Sequence, residues 1–122
     1  MAGTVTLTEI THTQIKKITF TWTSSAAGAA DGATSGTYTG ELVRVVQVPD
    51  GGGTQPTDLY DVEVTDADGA DVLHGLGANL SNAAATNKAA KDGLGTVVNS
   101  VLTLAVTNAG NAKGGKTIVY LR

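Results

Sequence analysis

Along most of the chain, apolar and polar residues alternate with a period of two. In Thr4–Ile10, Val5 and Leu7 sit between threonines. In Gln14–Thr23, Ile18, Phe20 and Trp22 share one face while Lys17, Thr19, Thr21 and Thr23 share the other. Successive side chains of a strand point to opposite faces, so this pattern predicts half-buried β-strands. The tight link Thr11–His12–Thr13 predicts that these two segments close a hairpin. Thr37–Val48 predicts the longest strand, with Tyr38, Leu42, Val46 and Val48 on one face and Val43 and Val45 on the other. Pro49-Asp50-Gly51-Gly52-Gly53 ends it. Leu59–Thr65 points Tyr60, Val62 and Val64 inward and Asp61, Glu63 and Thr65 outward. The turn Asp66–Gly69 then leads into a short returning strand, Ala70–Leu73. Val97–Thr107, where Leu102, Leu104 and Val106 alternate, and Lys116–Leu121, where Ile118 and Tyr120 do, predict a C-terminal hairpin around Asn108–Gly115.

Three stretches break the alternation. Ser24–Gly36 is built of small residues and Asp31, and predicts a flexible loop, as does the region 49–57. Gly75–Gly95 contains an Ala/Asn/Lys run over 82–91, with Asn82 placed as an N-cap and Gly93 as a stop, and predicts one short helix or helical turn. The sum is a single all-β domain over residues 1–122: an antiparallel β-sandwich or small barrel of six to seven strands.

Composition narrows the function classes. The chain has 122 residues, 41% of them hydrophobic but many of those alanine, and five aromatics: Phe20, Trp22, Tyr38, Tyr60 and Tyr120. So small a supply of large side chains predicts modest stability alone and a gain on assembly. A net charge of −3 with scattered Lys and Arg argues against nucleic acid. No apolar run is long enough to span a bilayer, and the opening residues show neither part of a secretory signal, so no membrane and no export are expected. With no cysteine, neither a disulfide nor a thiolate metal site is available.

Candidate chemistry is sparse. Asp58, Asp61, Glu63, Asp66, Asp68 and Asp71 make six of the eleven acids. An EF-hand loop centred on Gly69 would place Val64 and Gly75 where acids are required, so turn and solvent-face roles are expected instead. His12 and His74 lie far apart, outside any nucleophile motif. Gly51-Gly52-Gly53 runs into Thr54-Gln55-Pro56 rather than a phosphate-loop lysine, and Gly75-Leu76-Gly77 lacks a strand–helix setting. Trp22 is expected in the core. The residues thus predict no enzyme, no catalytic or metal site and no cofactor.

The opening, Met1-Ala2-Gly3-Thr4-Val5-Thr6-Leu7-Thr8-Glu9-Ile10 running into Lys17-Ile18-Thr19-Phe20-Thr21-Trp22, resembles small virion proteins of tailed bacteriophages. So do Leu59–Gly69 and Gly77-Ala78-Asn79-Leu80-Ser81. Among these the closest type is the capsid decoration, or cement, protein. The resemblance implies a β-rich structural protein of the virion, made in the host bacterial cytoplasm and often trimeric. It would bind the outside of the shell and bridge major capsid subunits. Ser24–Gly36, Pro49–Thr57 and the N-terminal strand are the expected partner contacts. Two alternatives stand beside it: a tail, connector or fibre-associated component, and a carbohydrate-binding or adhesion module. The last would need two of Tyr38, Tyr60 and Tyr120 exposed side by side.

Overall fold

The computed structural model describes residues 3–122; Met1 and Ala2, the start of the expected N-terminal contact, lie outside them. Among the described residues nine strands form: β1 (Thr4–His12), β2 (Ile15–Thr23), β3 (Ala30–Ala33), β4 (Tyr38–Pro49), β5 (Asp61–Thr65), β6 (Thr86–Ala89), β7 (Thr96–Ser100), β8 (Thr103–Thr107) and β9 (Gly114–Leu121). The larger sheet runs β1-β2-β9-β4-β6, and β7 joins β4 beside β6. The smaller runs β3-β8-β5. Every pairing is antiparallel.

The two sheets pack as a sandwich because each strand has one inward face. From the large sheet come Ile18, Phe20, Trp22, Leu42, Val45, Val119 and Leu121. From the small sheet and its flanks come Tyr60, Val62, Val64, Leu102, Leu104 and Val106. All are at most 4% exposed. The Trp22 and Tyr60 rings meet across the core at 5.7 Å and a 49° tilt, a geometry aromatic pairs favour. The predicted first hairpin forms: β1 and β2 pair without interruption from Thr4↔Thr23 to His12↔Ile15, and Thr13 takes a left-handed φ of 55° at the turn.

Several expectations give way, each for a local reason. Of the short helix or helical turn expected over 82–91, only one 3-10 turn at its end forms. Asn82 does not cap one: its side-chain amide donates to Pro56 O, its N–H to Asp58 Oδ1, and its carbonyl accepts from Gln55 Nε2. The run instead supplies β6 against β4, then a single 3-10 turn, Ala90–Asp92, which Gly93 ends at φ 108°. Ser24–Gly36 is not wholly loop, since β3 within it pairs with β8. Ala70–Leu73 makes only one bridge, Thr65↔Asp71, rather than a strand.

Two further corrections concern faces. In β4 the register shifts between Leu42 and Arg44, inserting Val43 as a bulge. The inward positions beyond it become Val45 and Gln47, while Val46 and Val48 turn outward, the reverse of the simple alternation. The 97–107 segment also divides. β7 pairs with β4 as far as Ser100, with Asn99 at φ 45° in an irregular stretch of that pairing; the chain leaves the strand at Val101 and Leu102, and β8 lies in the other sheet. For the same reason β8 and β9 are not a hairpin; the chain crosses from the small sheet to the large one between them. In β9 the inward residues are Thr117, Val119 and Leu121, leaving Ile118 and Tyr120 on the outer face.

Gly115 shows how closely the core is fitted. A Cβ there would stand 2.7 Å from Trp22 Cζ2 and 2.9 Å from Val48 O. Gly115→Ala should therefore destabilise the domain by roughly 1–3 kcal/mol through overpacking. Urea unfolding measures this, and an unchanged midpoint would contradict the packing described.

Candidate functional site

The acidic stretch is the densest group of titratable residues, and most of its carboxylates are engaged in holding the backbone of the 58–82 loop. Asp58 Oδ1 accepts the Asn82 N–H. Asp61 accepts from Asn79 N and Asn108 Nδ2. Asp66 Oδ1 takes the N–H groups of Asp68 and Ala70, and Asp71 takes those of Leu73 and Gly75. These are Asx-type turns, in which a side chain replaces a missing backbone partner. They hold a segment in which Leu59, His74 and Asn79 all take left-handed φ of 50–64°. Asp61, Glu63 and Asp71 line a cleft of about 360 Å³ beside the small sheet, with Ala105 and Thr107 on its floor. Among the described residues no group of three or more His, Asp or Glu is placed to hold a metal ion.

The two histidines stay apart in function as in sequence. His12 ends β1, exposed, and His74 is exposed in the loop, its Nε2 close over Gly95. The aromatics do not form a paired platform. Tyr60 is buried, its hydroxyl pKa pushed up to about 12 by that burial. Tyr38 is half-buried and engaged with Glu9, and Tyr120 lies half-buried on the outer face of the large sheet.

Two features were not singled out from the sequence. One is a clasp on β1. Glu9 faces inward and its carboxylate accepts four hydrogen bonds: from Ser35 Oγ (2.6 Å), Ser35 N (3.2 Å), Gly36 N (3.4 Å) and the Tyr38 hydroxyl (2.5 Å). This ties the edge strand to the β3–β4 connection. Burial alone would raise the Glu9 pKa, but the hydrogen bonds from Ser35, Tyr38 and Gly36 outweigh it and hold the carboxyl below its ordinary value. Tyr38 is pushed the other way, up to about 12, by its burial and by the Glu9 carboxylate.

The other is the surface that the clasp presents. β1 is the last strand of the large sheet, nine residues long, and its far edge takes no strand among the described residues. It contains no proline, no lysine and no bulge; its one carboxylate, Glu9, is turned inward, and His12 stands exposed at its end. The signal in the sequence was a first segment of uninterrupted alternation without proline or lysine.

No family model matches the chain, and no curated protein matches it. It is similar, at 12% identity and a TM-score of 0.42, to a solved structure from work on the structural basis for promiscuous specificity of carbohydrate-binding modules of the β-sandwich super family. The alignment covers 100% of this chain and 55% of that one. A likeness that slight carries no argument about this chain.

The clasp predicts an acid response. A carboxylate whose pKa is lowered on folding contributes stability above its unfolded value, and that contribution is lost as pH falls through the folded value. Between about pH 6 and about pH 2, protection of β1 amides against hydrogen exchange should therefore drop, and Glu9→Gln should flatten that drop. An identical acid response in wild type and variant would contradict the clasp.

Proposed function

We propose that the chain is a non-enzymatic structural protein of a tailed-bacteriophage virion. It would bind the outside of the capsid and stabilise it by bridging major capsid subunits. The observation that carries the reading is the open, regular edge of β1. Soluble β-proteins normally blunt such an edge with charge, proline, a bulge or a covering loop, because it is a template for another strand. Along its nine residues β1 has no proline, no lysine and no bulge; its one carboxylate, Glu9, is turned inward into the clasp, and the outer edge pairs with no strand among the described residues. An edge of this kind takes an extended segment of a partner as an added strand. Main-chain hydrogen bonds then supply affinity, and alternate side chains supply specificity. The mechanism is mechanical: each added strand ties the domain to one shell subunit, and symmetry repeats the tie over the shell. The exposed 3-10 turn Gly52–Thr54, with Gly51–Gly53 open to solvent, is a second place for the shell to touch.

Thr6 and Thr8 are exposed on β1. Thr6→Lys with Thr8→Lys adds charges of the kind that deter strand pairing, while removing no buried contact. The double variant should keep the wild-type melting temperature and bind purified shells lacking the protein at least about tenfold more weakly in a co-sedimentation assay. Unchanged binding would reject the edge as the point of attachment.

A further inference from the structure

The register of the large sheet fixes what its outer face presents. Three successive cross-strand rows read Ile10, Lys17, Tyr120, Arg44 and Ala89; Thr8, Thr19, Ile118, Val46 and Asn87; and Thr6, Thr21, Lys116 and Val48. They hold three cations and no carboxylate, in a chain whose net charge is −3. Lys91–Asp92 is the one salt bridge among the described residues, so Lys17, Arg44 and Lys116 are unpaired. At the centre, Tyr120 lies between two of them, with Lys17 Nζ 5.8 Å and Arg44 Cζ 5.2 Å from its ring centroid. Arg44 is further steadied by its Nε donating to Asn87 Oδ1 at 3.0 Å. Ile10, 52% exposed, stands at the end of the same row. A fixed tyrosine and arginine amid apolar neighbours is the composition of a protein–protein hot spot.

The opposite side of the sandwich carries the reverse. On the outer face of the small sheet, Asp31, Ala105 and Glu63 form one cross-strand row, and Asp61 stands opposite Thr107 in the next. These rows hold three carboxylates and no cation. Small side chains lie between them, and the cleft of about 360 Å³ is at their side. The two faces of one molecule are therefore complementary in charge.

We infer that copies of this chain associate head to tail, the Lys17/Arg44/Lys116 face of one against the Asp31/Asp61/Glu63 face of the next. Such a contact is heterologous: it closes into a ring if the rotation between copies permits, and otherwise extends as a stack. The inference deepens the reading above by naming the faces through which copies join. Its charged residues lie on β2, β4 and β9 and on the small sheet rather than on β1, and it is tested without any shell, so either can fail alone.

The test is a pair of charge reversals read by sedimentation velocity at low ionic strength across a range of protein concentrations. Wild type should assemble, and its assembly should weaken as salt is added. Lys17→Glu with Lys116→Glu, which leaves the acidic face intact, should stay monomeric, as should Asp31→Lys with Glu63→Lys, which leaves the basic face intact. For each, the association constant should fall at least about tenfold. An equimolar mixture should assemble again, because it contains one native face of each kind. Circular dichroism melts confirm that both variants are folded. A monomeric wild type, variants that assemble like wild type, or a mixture that stays monomeric would each overturn the inference, as would assembly of wild type only around added nucleic acid.

Discussion

Everything in this molecule follows from the burial of a single face of each strand between two sheets. With a core resting on Phe20, Trp22 and Tyr60 for its large side chains, few residues can be spared from the inward rows. The alternation is kept almost without exception along β2, β5, β8 and β9. A slip of one residue would turn Ile18, Phe20 and Trp22 to solvent together, so the hydrophobic effect sets register as well as fold. Once the inward set is chosen, the outward set is determined too. Lys17, Lys116 and Tyr120 stand on one side of the molecule, and Asp31 and Glu63 on the other, because their neighbours in sequence are needed inside.

The bulge at Val43 is where this constraint is adjusted. β4 must pair with β9 along its length while accepting β7 near its start and β6 beyond. One inserted residue changes which side chains face inward partway along the strand, bringing Leu42 and Val45 both into the core and sending Arg44 out over Tyr120. It also turns Gln47 inward, where its Oε1 accepts a hydrogen bond from Thr117 at 2.5 Å while its Nε2 finds no partner. A buried amide of that kind costs stability, which an apolar residue would not. The carboxylates of the acidic stretch serve the same economy. With no regular element between β5 and β6, Asp58, Asp61, Asp66 and Asp71 supply acceptors that the loop backbone otherwise lacks.

Much of the fold was legible because period-two alternation is a local signal. The first hairpin, the inward faces of β2 and β5, the Asp66–Gly69 turn and the burial of Trp22 all follow from it. What was not legible depends on distant partners. Asn82 looks like a helix cap until Pro56 and Asp58 are seen to claim its polar groups. The 97–107 run looks like one strand until β4 is seen to hold its first part, through Tyr38↔Ser100 and the Asn99 N–H donated to Thr39 Oγ1, while Thr103–Thr107 pairs in the other sheet. The faces of β4 were misjudged because a bulge leaves no mark in hydropathy. In β9 both faces alternate apolar residues, Ile118 and Tyr120 against Val119 and Leu121, so the sequence did not show that Tyr120 stands outside between two cations. The absence of proline and lysine from β1 was legible in the sequence, but its place at the end of the sheet depends on strand order and was not.

The central claim is that this domain belongs to a virus shell. The measurement that tests it most directly is the number of copies of the chain in purified virions, by quantitative mass spectrometry against the major capsid protein. The account predicts on the order of hundreds of copies in simple ratio to the capsid protein, as repetition over a symmetric shell requires. A count on the order of ten would move the protein to the tail or connector, and its absence from the particle would contradict the account.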